Sequence, residues 1–132
     1  MAAHWLFKTE PSTYSYADLE RDGGTVWDGV KNPLALKHLA AVAKGDEVLV
    51  YHTGGEKAVV GVAKVVRGAY PKDARLPVVD LQPVRALPRP VALGEMRANR
   101  KLAGFDLLRL PRLSVMPVSA GQWAAIMEMA HS

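Results

Sequence analysis

Residues 46–53 read DEVLVYHT. Val48, Leu49 and Val50 make a clean apolar strand that runs into Tyr51, His52 and Thr53 as it ends, and Gly54-Gly55 turns the chain straight afterwards. Strand side chains alternate faces, so Val48, Val50 and His52 share one side while Leu49, Tyr51 and Thr53 share the other. Near the start of the chain, residues 4–9 read as a strand whose buried start, HWLF at 4–7, gives way to Lys8, Thr9, Glu10 and Pro11. Two hydrophobic strands that both finish in polar groups suggest a pocket wall, not a place where the core has run out.

Working outward, strands dominate. Residues 58–66 form one, with Gly61 marking a bulge or a close backbone approach. Residues 76–87 form another, interrupted by Pro83, which marks an edge or a bulge. Residues 112–118 form the last, and 25–30 hold a short extended piece turning at Asp28-Gly29. Helices are announced by their caps. Ser15 and Asp18 have capping-box spacing ahead of a short helix to about Arg21, ended by Asp22-Gly23-Gly24. Asn32-Pro33 is an N-cap with proline at the first helical position. Leu36, Leu39, Ala40 and Ala43 then recur at helical spacing, which predicts a helix over 33–44 with Gly45 as its C-terminal cap. Residues 93–103 read as helical, and Ser119 with Gln122 opens a closing helix over 121–130. The expected fold class is α+β: a small mixed β-barrel or curved sheet flanked by helices.

At 132 residues the chain fits one domain, 1–132, and its 49% hydrophobic content is enough for a real core. No apolar run is long enough to cross a bilayer, and no secretory signal is visible. Cysteine is absent, which excludes disulfides, thiolate zinc sites and cysteine nucleophiles, and a cytoplasmic location is expected. Charge is uneven: residues 1–66 carry 7 Lys and Arg against 8 Asp and Glu, whereas residues 67–132 carry 10 against 5. Between Arg85 and Arg112 six of the basic residues are arginines, whose forked guanidinium suits phosphate oxygens. A basic half points to a nucleic-acid partner, with a solvated basic face as the competing reading.

Enzyme signatures are missing. There is no G-x-S-x-G elbow and no phosphate-cradling glycine loop. His4, His38, His52 and His131 lie far apart, with no metal-ligand pair at helical spacing, so neither metal nor cofactor is expected. Asp46-Glu47, at a turn before a strand, reads as solvated. If the strands lie in one curved sheet, their polar ends meet at one mouth, a favoured place for a small-molecule site. The pooled set is Trp5, Lys8, Thr9, Glu10, Trp27, Asn32, Tyr51, His52, Arg112 and Ser114. It mixes aromatic faces with donors and acceptors, as a flat heteroaromatic ring with a hydrogen-bonding edge requires. Glu10 is expected to accept from an exocyclic amine, and Lys8 or His52 to donate to a carbonyl oxygen.

Each member also has an ordinary role. Trp5 and Trp27 suit a core, Asn32 is a helix cap, His52 suits a satisfied strand end, and Arg112 belongs to the basic face. Lys8 and Glu10 suit a surface ion pair worth about 0–1 kcal/mol. Clustering, not any single residue, carries the pocket reading.

HWLFKTEPSTYSYADL (4–19), WDGVKN (27–32), GDEVLVYHT (45–53), VVGVAKVVRGAYP (59–71) and RLSVMPVS (112–119) follow one another in order. Together they resemble the EVE domain family of the PUA-like superfamily, to which thymocyte nuclear protein belongs. The resemblance covers roughly residues 4–130. It implies a small mixed barrel flanked by helices, and a non-catalytic module that reads a modified base, of the 5-methylcytosine type or related, in DNA or RNA. Lys8–Pro11 stand at the family's K-[S/T]-E-P motif, Trp27 to Asn32 at W-D-G-V-x-N, and Tyr51, His52 and Thr53 at Y-H-[S/T]. Lys31 replaces a usual arginine, Pro33 a tyrosine, and Leu36-Lys37 an Arg-Asn pair, which removes bidentate phosphate contacts if those arginines supply them. The alternative implied by the related ASCH domains, some of which are hydrolases, is an enzyme acting on a modified base or nucleotide. A third is an interaction module whose pocket is vestigial.

Overall fold

The computed structural model describes residues 3–72 and 76–132. Among these, six strands are β1 His4–Thr9, β2 Thr25–Trp27, β3 Glu47–His52, β4 Ala58–Lys72, β5 Leu76–Ala92 and β6 Val115–Pro117. The helices are α1 Tyr16–Asp22, α2 Pro33–Ala41, α3 Leu93–Arg97, α4 Asp106–Arg109 and α5 Ala120–Ala130, with a 3₁₀ turn at Arg100–Leu102. All six strands join one mixed sheet in the order β2-β5-β4-β3-β1-β6. β1 runs parallel to β3, with Trp5 opposite Val48 and Phe7 opposite Val50, and the other pairs are antiparallel. The sheet stays open, with β2 and β6 as its edges. It is nevertheless strongly curled, because α2 touches both β5 and β6 although three strands separate them in the sheet. No helix among the described residues is long and apolar enough to cross a membrane.

The caps lie where the sequence puts them. Ser15 and Asp18 form a reciprocal capping box, and so do Ser119 and Gln122. Asn32 accepts from the backbone of Leu34 at 3.0 Å and Ala35 at 3.1 Å. Other boundaries moved. α2 stops at Ala41: Val42 is buried and turns extended, and Ala43 N–H leaves the helix to reach Asp46. Gly45 therefore caps no helix; its φ of 93° turns the chain into β3. The stretch 93–103 divides because Asn99 caps a new 3₁₀ turn through Lys101 N–H. β4 and β5 outrun their apolar patterns through four register shifts, three admitting one extra residue and the one between Val59 and Gly61 admitting three on β5. Pro83 sits opposite Ala63 beside one of them and beyond Leu81, the last β5 residue that β2 covers, so its missing N–H breaks no ladder. The last strand is three residues long, and Arg112 and Ser114 lie in the turn before it.

Two buried contacts fix this frame. Asp46 is 5% exposed, not solvated as its place before a strand suggests. Its carboxylate accepts from Ala3 N–H at 3.0 Å, the Trp5 indole at 2.9 Å and Ala43 N–H at 2.9 Å, tying β1 and the end of α2 to the entry of β3. At Gly61 the β4 backbone passes under the Tyr16 ring, whose hydroxyl donates to Val62 O at 2.7 Å. The bulge and the close approach expected of this glycine are both present.

Where β5 leads into α3, the Arg89 guanidinium holds both oxygens of Glu95, at 2.8 and 2.7 Å. These bonds, with one from Ala92 N–H, pull the Glu95 carboxyl down to about 2. A depressed carboxyl favours the folded state above its ordinary value and loses that contribution as pH falls through about 2. Carbon-detected NMR titration should find Glu95 still ionised at pH 3, and Arg89→Gln should return it toward ordinary glutamate behaviour. A wild-type midpoint near 4.5 would refute the pairing.

Candidate functional site

The polar end of β1 lies beside the polar end of β3, Lys8 opposite Tyr51 and Thr9 opposite His52. The Thr9 hydroxyl donates to Tyr14 O at 2.7 Å and folds the β1–α1 loop back over the sheet. This brings Tyr14 edge-on to Trp27, with ring centres 6.5 Å apart, while Trp27 also packs on Phe7 at 5.6 Å. A cavity of about 340 Å³ opens there, within the ~300–1,000 Å³ usual for ligand pockets. Tyr14, Val26 and Trp27 supply its apolar wall, and Lys8, three threonines and Asp28 its polar one.

Two more hollows adjoin it. One of about 230 Å³ is lined by Lys8, Tyr51, Thr53, Lys57 and Arg97. The other, about 300 Å³, is lined by Asn32, Leu34, Pro111 and Arg112. Lys8 borders the first two, and Pro111 borders the second and third. These two residues touch, Lys8 Nζ donating to Pro111 O at 2.9 Å. That ammonium also lies 5.8 Å from the centre of the Tyr51 ring, and burial pushes its pKa below the usual lysine range.

The residues proposed from sequence thus separate. Lys8, Thr9 and Trp27 share the largest cavity, Tyr51 borders the second, and Asn32 and Arg112 border the third. The Asn32 side-chain oxygen is engaged as a cap. His52 lines none of the three hollows: its Nε2 accepts from Tyr16 N–H at 3.0 Å and its Nδ1 meets Glu56 at 2.7 Å, so the ring anchors α1. Ser114 lines none either; its carbonyl accepts Lys8 N–H at 2.9 Å and extends the β1–β6 pairing. Trp5 is committed to Asp46.

Glu10 is exposed and lines none of the three hollows, although its carboxylate stands against Thr53 and Gly54, which line the second. One carboxylate oxygen accepts from Ser12, the other from the Thr53 hydroxyl at 3.1 Å, clasping two loops together. These bonds lower its pKa, the Ser12 N–H contributing most. The base-edge role expected of Glu10 does not fit this placement. Glu10→Gln should leave affinity for any base within about twofold in direct titration; a loss greater than tenfold would restore Glu10 to the site.

Thr13, Tyr14, Thr25, Val26 and Asp28 complete the cavity and were not among the residues proposed for it from sequence. Asp28 reads there as a turn residue before Gly29, whose φ of 77° makes that turn. The turn is also what sets Asp28 in the cavity wall.

The EVE domain profile matches residues 3–129. Human thymocyte nuclear protein 1 is 26% identical over 98% of this chain and 74% of its own length. An NMR structure of a Rhodopseudomonas palustris protein aligns with a TM-score of 0.93 at 35% identity, covering 98% of this chain and 94% of that one. A crystal structure of the human THYN1 protein in complex with 5-methylcytosine-containing DNA aligns with a TM-score of 0.92 at 25% identity, over 99% of each chain. A match across nearly every residue, in sequence and in fold, places this chain in the EVE domain family.

Proposed function

We propose that the protein is a non-catalytic nucleic-acid-binding module that takes one modified base, of the 5-methylcytosine type in DNA, into the 340 Å³ cavity beside Trp27. The observation that carries this reading is the fit of the chain, over 99% of its length, to a relative solved with 5-methylcytosine-containing DNA. The cavity supplies the chemistry. Lifting a base from the stack costs a few kcal/mol, and an aromatic contact returns ~1–3 kcal/mol. Trp27 is only 8% exposed, so it offers an edge, and the half-buried Tyr14 standing across it makes an aromatic corner. Val26, 37% exposed, adds the apolar contact that a 5-methyl group needs. Asp28 is an acceptor for the exocyclic amine of cytosine, and Lys8 a donor to its ring carbonyl.

Burying one methyl group contributes ~0.8 kcal/mol, so 5-methylcytosine should bind roughly fourfold more tightly than cytosine in matched oligonucleotides. Asp28→Asn should weaken both roughly tenfold or more, since a hydrogen bond to a charged group contributes ~1.5–3 kcal/mol. Fluorescence anisotropy on DNA and RNA oligonucleotides, with chromatography of the recovered strands, makes the test. Equal affinity for both bases would sink the reading, as would preferential binding of RNA. Release or conversion of the base would establish an enzyme instead.

A further inference from the structure

We infer that the 230 Å³ hollow on the far side of Lys8 is a phosphate-binding subsite, holding a phosphodiester next to the base taken up beside Trp27. The inference rests on the base-reading proposal, because Lys8 is the wall that both spaces share.

Three cations, Lys8, Lys57 and Arg97, line this hollow, and no acidic residue does. One carboxylate, Glu10, stands against the wall at Thr53 and Gly54, where it is held by the Thr53 hydroxyl and by Ser12. Elsewhere in the basic half Arg89 pairs with Glu95, Lys101 with Glu128 and Arg109 with Asp106, while Arg85, Arg100 and Arg112 belong to no ion pair among the described residues and line no part of this hollow. Among the described residues, Lys57 and Arg97 belong to no ion pair, yet both face the same small space.

The backbone builds that space deliberately. Lys57 has φ of 48°, the one described residue other than glycine in the left-handed region. A side chain is rarely set there unless the surroundings hold it. They do: Lys57 O accepts the N–H of Leu93 at 2.8 Å, so α3 starts on the carbonyl of this turn. Arg97, at the other end of α3, is thereby fixed with respect to Lys57. Lys8 gives one of its three N–H donors to Pro111 O and keeps two for an oxygen in either hollow. An ammonium on each side and a forked guanidinium match the non-bridging oxygens of a phosphodiester.

The test compares the intact chain with Lys57→Asn/Arg97→Gln. Asparagine tolerates the left-handed region, and both residues are exposed, so the fold should survive; the thermal melt verifies this, and Arg97→Gln alone serves if it does not. Affinities are measured across a salt series for a duplex bearing 5-methylcytosine. One lost phosphate contact should make the slope of log K against log salt shallower by ~0.9 and weaken binding about tenfold at low salt. Competition by free 5-methyl-2′-deoxycytidine, which lacks phosphate, should be unchanged. An unchanged slope would overturn the subsite. So would a variant that loses only its affinity for 5-methyl-2′-deoxycytidine 5′-monophosphate, which would give the hollow to free nucleotides. The two proposals fail separately. A shallower slope without preference for 5-methylcytosine keeps the phosphate subsite and rejects the base reading, and retained preference with an unchanged slope does the reverse.

Discussion

Asp46→Asn is expected to lower the melting temperature by roughly 12 °C. The carboxylate receives three donors, from Ala3, Trp5 and Ala43, and sits 5% exposed. An amide of the same shape turns an NH₂ group toward at least one of those N–H groups. A buried donor left without its acceptor costs ~1–3 kcal/mol, and losing a charged acceptor as well brings the total to about 3 kcal/mol. At ~4 °C per kcal/mol for a domain of this size, that gives the stated shift. The indole N–H resonance of Trp5 should move in the same variant. A melting temperature within ~2 °C of wild type would show that Asp46 does not hold the two strands together.

Gly61→Ala is expected to cost about 3 kcal/mol, near the upper end of the usual penalty for overpacking a core. A Cβ at this position would lie 2.4 Å from the Tyr16 ring. The ring has nowhere to go: it is 4% exposed, its hydroxyl is bonded to Val62 O, and the Tyr16 N–H is bonded to His52. Either the β4 bulge or the start of α1 has to shift. Denaturant melts of Gly61→Ala, Tyr16→Leu and the double variant give the coupling directly. The double variant should be less destabilised than the sum of the singles, and strict additivity would mean the ring and the glycine do not meet.

Local signals carried much of the fold into the sequence. Helix starts at Ser15, Asn32 and Ser119 were readable because a cap is a contact within four residues. Strands β1 and β3 were readable because their apolar runs are short and cleanly ended. The length of β5 was not, since Pro83, Pro88 and Pro90 argue against a strand and are tolerated because β2 covers nothing beyond Leu81 and the pairing with β4 shifts register beside them. The site divides in the same way. The polar end of β1 and the aromatic position brought Lys8, Thr9 and Trp27 forward, and all three line one cavity. Glu10 and His52 carry equally suitable chemistry but are taken up by Thr53 and Tyr16, which lie 43 and 36 residues away in sequence. Spacing says which side of a sheet a group occupies, not which distant loop reaches it first.

β1 is translated long before one of the two strands that enclose it. Its neighbours in the sheet are β3 on one side and β6, at Val115–Pro117, on the other. While the ribosome adds the intervening hundred or so residues, at ~5–20 per second, one flank of Trp5, Leu6 and Phe7 has no strand to pair with. The nascent chain therefore spends seconds with an apolar, hydrogen-bond-hungry ribbon on display. In refolding from denaturant, where the whole chain is present from the start, closure of β6 onto β1 should still be a late, topologically distant event.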